Sequence, residues 1–160
     1  AACGPLAQCM QAGVLCLRAA RDRELARSVA TFFTAACSLA TPHEQAWASS
    51  CFAPAADAWF AAVFAGVAGA LPPRLCKVLA TMLFDMLHGP LLAPAHRELC
   101  HAQLRKLSAA VHLVPTMGQP QQVALVQSLL ALGQKRRFEQ TVMQLGMFCH
   151  GQVAIGDLGL

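Results

Sequence analysis

The chain has 160 residues, is 56% hydrophobic and 12% charged, and carries a formal net charge of +4. That length supports one domain with a sizeable core. The positive charge is small and, apart from Lys135-Arg136-Arg137, scattered, which argues against a nucleic-acid-binding face.

The first expected helix runs from about Pro5 to Ala20, with Leu6, Met10, Val14 and Leu17 on one face. Asp22 is placed to cap a second helix, from about Arg23 to Leu39. Its stripe is Leu25, Val29, Phe32, Phe33 and Ala36. The short link between the two makes a hairpin. Thr41-Pro42-His43-Glu44 is a helix start: Thr41 the cap, Pro42 the first helical residue, Glu44 the capping-box partner. That helix ends near Phe52, and Pro54 opens the next.

Residues 57 to 90 read as a central hairpin, two apolar helices joined by a sharp corner. Trp59, Phe60, Val63, Phe64 and Val67 recur at helical spacing. Pro72 and Pro73 break the run. Leu75, Val78, Leu79, Met82, Leu83, Met86 and Leu87 then repeat the pattern until Gly89-Pro90 stops it. Each arm is apolar around more than half its circumference, so both arms need neighbours on two sides. A membrane span is not expected: residues 58 to 73 are uncharged but short of the roughly 20 apolar residues a span needs, and 113 to 134 hold five Gln and two Pro.

A helix from about Pro94 to His112 follows, with Leu99, Leu104, Leu107 and Val111 expected inward. Val114 to Pro120 reads as the longest loop. Gln121 to Leu132 forms a helix with a stripe of Val123, Val126, Leu129 and Leu130. Gln134 to His150 forms the last, presenting Phe138, Val142, Leu145 and Phe148. The glycine-containing tail, 152–160, is expected to fray or to be a crossing from a distal segment. No segment alternates with period two. The pattern predicts an all-α fold: an α-solenoid of about eight helices in HEAT-like antiparallel pairs, a right-handed superhelical array with units spaced about 40 residues apart. With Ala1 already inside apolar sequence, residues 1–151 are expected to be a segment of a longer array.

Chemistry-bearing residues are sparse. His96, Glu98, Cys100 and His101 share one helix, but His96 and His101 are five apart and face different ways. His96 and Cys100 can pair, with no further ligand in sight, so this group is expected to be a polar helix flank. The eight cysteines contain no C-x-x-C and sit beside Ala and Leu. They are expected to be reduced, buried small hydrophobes. Gly66-Val67-Ala68-Gly69 lacks the preceding strand of a phosphate-cradling turn, and the carboxylates show no acid–base spacing. No enzymatic activity, cofactor or metal is expected. The charged positions picked out as partner contacts are Arg74, Lys77, Asp85, Lys135, Arg136 and Arg137. Asp85 stands out as a carboxylate between Phe84 and Met86.

Four stretches carry a resemblance to a known family. They are Gln8 to Leu17 with Ser28 to Thr34 and its Phe32-Phe33 pair; Ala62 to Ala70; Val78 to Leu87; and Gln134 to Phe138 through Met147 to Gly151, a basic start closing on Cys149-His150-Gly151. Their order resembles the C-terminal repeats of importin-β (karyopherin-β) nuclear transport receptors, nearest the importin-thirteen and transportin-three branch. The resemblance implies a HEAT-repeat receptor shuttling between cytoplasm and nucleus. It further implies cargo proteins on a concave surface, Ran-GTP engaged through N-terminal repeats absent from this sequence, and nucleoporin Phe-Gly repeats as further partners. No direct nucleic-acid partner is implied. The alternative is a HEAT- or armadillo-like scaffold for protein–protein interaction with no transport role.

Overall fold

The computed structural model describes residues 4–160, which form eight α-helices and, among the described residues, no strand. These are α1 Gly4–Ala19, α2 Arg23–Cys37, α3 Pro42–Phe52, α4 Ala56–Ala65, α5 Cys76–His88, α6 Pro94–Ala110, α7 Gln119–Ala131 and α8 Lys135–Cys149. Helices α3 and α4 join through a 3-10 turn at Ala53–Ala55 within one helical run, Pro42–Ala70, leaving seven separate helical bodies. Pro54 causes that turn, because it has no N–H to give to the carbonyl four residues back.

The local start signals act as the sequence predicts. The Asp22 carboxylate accepts from the Leu25 amide at 2.8 Å. Thr41 Oγ1 accepts from the Glu44 amide while Glu44 reaches back to the Thr41 amide, closing the capping box. The run from α4 ends at Gly69, whose φ of +122° is open to glycine and strained for other residues. One turn earlier, a Cβ on Gly66 would lie 2.9 Å from a Leu79 methyl, so glycine lets α5 approach this turn closely.

The helices pack in two rows. One contains α1, the α3–α4 run and α6; the other contains α2, α5 and α8, and α7 lies on α6. The two central arms do not rely on each other. Helix α4 packs on α1 and α6, while α5 packs on α2, α6 and α8, and the Gly66–Ala70 turn touches both arms. Nine of the 13 residues of α5 are buried. Those left over are Lys77, Thr81, Asp85 and His88, a single edge at steps of four, four and three. Phe33, Phe52, Trp59 and Phe60 stack edge-on between α2, α3 and α4, with Trp59 at 5.8, 5.9 and 5.1 Å from the other three. Phe84 and Phe138 do the same between α5 and α8 at 5.3 Å.

Several faces differ from expectation. On α2 the buried stripe is Ala26, Val29, Phe33 and Cys37, and Leu25 is exposed. On α6 the fully buried positions are His96, Cys100, Leu104 and Ser108, while Val111 is exposed. His96 is therefore not on a polar flank: its Nδ1 lies 2.8 Å from Ser49 Oγ, its Nε2 3.5 Å from Cys100 Sγ, and its ring against Phe52. The loop before α7 buries Leu113, Val114 and Met117. It is held by Gln122, which accepts from the Leu113 and Val114 amides and donates to the Ser108 and Val111 carbonyls, at 2.7 to 3.0 Å. The tail does not simply fray. Ile155–Leu158 form a 3-10 turn against α8, and Leu158 is buried.

Candidate partner-binding groove

The polar edge of α5 faces α2 across an open groove of about 580 Å³. From α2 come Arg23, Arg27, Thr31, Thr34 and Ser38, which share a face because they recur at steps of three and four. From α5 come Lys77, Thr81 and Asp85, with Val78 and Met82 as an apolar floor. Leu91, just beyond α5, is 69% exposed and lines the groove as well. The wall is thus cationic through Arg23 and Arg27, hydroxyl-bearing through Thr31, Thr34, Ser38 and Thr81, and greasy below.

Three of the six sequence-selected positions meet here. The Lys77 ammonium pairs with Glu139 of α8 at 2.6 Å, and Thr81 donates to the same carboxylate at 2.6 Å. Lys135 pairs with Asp85 at 3.6 Å and lies over the Phe84 ring at 5.8 Å. The cations expected to serve a partner are therefore partly engaged within the chain. Burial works against the charge of Glu139, but the Lys77 and Thr81 hydrogen bonds and the Lys77 and Lys135 charges outweigh it and hold the carboxyl below its usual range. Asp85 moves the other way. Burial raises its pKa, and Lys135 offsets this only in part, with the Glu139 charge adding to the rise.

The other three selected positions lie elsewhere. Arg74 donates to the Arg21 carbonyl and so ties the turn before α5 to the α1–α2 link. Arg136 and Arg137 are exposed on the first turn of α8. Arg137 borders a separate recess that includes Leu158, and Arg136 lines neither cavity. Sequence reasoning missed Arg23, Arg27, Thr81 and Glu139. The available signal was the repeated four-residue step, 23–27–31 on one helix and 77–81–85 on the other. Among the described residues, Arg23 and Arg27 have no acidic partner.

The sulfur and imidazole groups are mostly structural. Burial pushes the Cys37 thiol up to about 12 and the Cys76 thiol up to about 11, and raises Cys100 too. Such thiols are poor nucleophiles at neutral pH. Cys9 and Cys16 depart from the expected burial: both are exposed on α1. Cys3 lies outside the described residues. No three His, Cys, Asp or Glu side chains gather closely enough to hold a metal among the described residues. The Pro42–Ala70 run is long and apolar enough to cross a membrane, but 61% of its most apolar window is buried inside the fold. Comparisons with protein-family models, with curated proteins and with solved structures return no match.

Proposed function

We propose that this chain is a segment of a HEAT-like helical scaffold that binds a protein partner along the α2–α5 groove. The observation that carries the reading is the pairing of two polar helix edges across an apolar floor, with Arg23 and Arg27 left without an acidic partner. The packing of α1, α3–α4 and α6 in one row and α2, α5 and α8 in another supports a repeat array. In such an array each unit contacts its neighbours and offers one row as a continuous surface. The partner segment would be amphipathic, with carboxylates for Arg23 and Arg27 and apolar side chains for Val78, Met82 and Leu91.

The transport-receptor form of this reading rests on the resemblance described above. In that form the groove partner is a cargo protein, and the receptor shuttles between cytoplasm and nucleus. One experiment tests both levels. A photo-crosslinking amino acid is incorporated during translation in place of Thr31, or of Glu98 on the far side as control, and the protein is irradiated in lysate of the cells that express it. Groove binding predicts an adduct specific to position 31 that disappears in an Arg23→Glu/Arg27→Glu background. Equal or absent adducts at the two positions would overturn the groove. Loss of the adduct on adding Ran-GTP, and not Ran-GDP, would favour the receptor. Indifference to the nucleotide favours a plain scaffold.

A further inference from the structure

A smaller cavity of about 120 Å³ lies between the Gly66–Ala70 turn, the start of α5 and the last turns of α8. Its donors are sulfur and imidazole groups. Met143, Met147 and His150 recur at steps of four and three, so they stand on one face of α8, and Cys76 faces them from α5. No carboxylate lines the cavity. Met147 is 42% exposed, which gives access from solvent.

The backbone orients the imidazole. His150 Nδ1 lies 2.7 Å from the Gly146 carbonyl, an acceptor only, so Nδ1 carries a hydrogen, and in the neutral ring the lone pair is on Nε2. A carbonyl holding one ring nitrogen while the other is free is the usual outer-shell arrangement of a metal-binding histidine. Nε2 lies over Gly69, where even a Cβ would be 3.6 Å away. The Cys76 sulfur is pressed against α8: a Cβ on Gly146 would come within 3.1 Å of it. Two thioethers, an imidazole and a thiol, without oxygen anions, are a soft donor set. Soft sulfur donors suit monovalent copper and not magnesium or calcium, and the two neutral thioethers favour Cu(I) here over zinc, whose sulfur ligands are thiolates. The unbranched methionine side chains can swing to complete the coordination.

We propose that Met143 Sδ, Met147 Sδ and His150 Nε2 form a binding site for Cu(I), with Cys76 Sγ as the neighbouring fourth donor. The site is independent of the α2–α5 groove. No bond is made or broken in the protein when the three neutral donors bind. If the Cys76 thiol joins them, its proton leaves to solvent.

The test uses the full chain with Cys3→Ser, Cys9→Ser, Cys16→Ser and the half-buried Cys149→Ser, so that these thiols do not compete for the metal. Cu(I) is titrated anaerobically against a chromophoric chelator. One equivalent is expected to remain with the protein. Met143→Leu/Met147→Leu, which keeps volume and apolarity, should weaken it by about 100-fold or more, given that outer-shell changes alone cost roughly 10–100-fold. His150→Gln should weaken it by at least about tenfold. In methyl NMR, the Met143 and Met147 resonances should shift on adding one equivalent of Cu(I), and those of the buried Met10, Met82 and Met86 should not. The proposal is overturned if no equivalent resists the chelator, if either variant binds as tightly as its parent, or if the two methyl resonances stay in place.

Discussion

Lys77 of α5 and Glu139 of α8 meet at 2.6 Å, and Thr81 completes the arrangement on the other carboxylate oxygen. The acid is the buried partner, at 7% exposure, while the lysine side chain is 56% exposed. The asymmetry decides what each deletion does. Removing Lys77 leaves a buried carboxylate with Thr81 as its side-chain donor and only the more distant Lys135 charge, whereas removing an exposed, unpaired cation such as Arg23 leaves nothing behind. We predict that Lys77→Met destabilises the fold by about 1–3 kcal/mol, and Arg23→Ala by less than about 0.5 kcal/mol. The folded-state pKa of Glu139 lies below its unfolded value, so the pair stabilises above the ordinary carboxylate range and the effect fades as pH falls. Lys77→Met should move that fading to higher pH. Urea unfolding from pH 7 to pH 3 measures both quantities, and equal losses for the two variants would refute the asymmetry.

His96 predicts a second pH dependence. Burial holds its pKa near 4 against an ordinary 6.5. The groups around it, Ser49, Cys100 and Phe52, bring no charge to offset this. The unfolded chain therefore binds the proton first. Stability is full above about pH 6.5 and declines as pH falls toward 4, by on the order of 3 kcal/mol. His88 has a lowered pKa as well and contributes with the same sign. In His96→Leu the slope between pH 6.5 and 4 should flatten. A slope as steep as that of the parent would assign the acid sensitivity to other groups.

What the sequence made legible was local. Asp22 and the Thr41–Glu44 box act within three residues of themselves, so their patterns could be read directly. The two-sided greasiness of α5 likewise implied neighbours on both sides, and α2, α6 and α8 supply them. Illegible features depend on distant partners. His96, Ser108 and Gln122 look like surface residues until the carbonyls, hydroxyl and thiol that satisfy them are in place. A hydrophobicity pattern ranks them as outward and so turns α6 onto the wrong face. The groove was half visible. Lys77 and Asp85 stand out as charges in apolar sequence, but the facing Arg23 and Arg27 are some 50 positions away and carry no local sign of it.

Gln122 is the most consequential of these hidden residues. Its amide makes four hydrogen bonds, two accepted from loop amides and two donated to the end of α6. Truncation leaves the buried Leu113 and Val114 N–H groups without that acceptor. We predict that Gln122→Ala costs about 3 kcal/mol or more, since each stranded buried group costs about 1–3 kcal/mol. Gln122→Glu keeps the acceptor but replaces the two donors by an anion facing carbonyls, so it should be at least as harmful. Amide exchange at Leu113 and Val114 should quicken in both variants before global unfolding. Unchanged exchange there would show that the loop is held by its apolar residues alone.

Trp59 and Phe64 allow a direct comparison of packing with hydrogen bonding. Both are almost fully buried, at 0% and 2% exposure. Phe64 is wholly apolar, so Phe64→Ala should cost about 3–5 kcal/mol through lost contacts and a cavity. Trp59 differs because its indole N–H is buried without a hydrogen-bond acceptor among the described residues. A buried orphan donor costs about 1–3 kcal/mol. Trp59→Phe removes that donor and keeps an aromatic ring among Phe33, Phe52 and Phe60. The gain should offset most of the volume lost, for a net change within about 1 kcal/mol. Denaturant unfolding of the two variants under one set of conditions separates the effects. If Trp59→Phe costs as much as Phe64→Ala, the packing of the larger ring outweighs the stranded donor, and the cluster is held chiefly by shape.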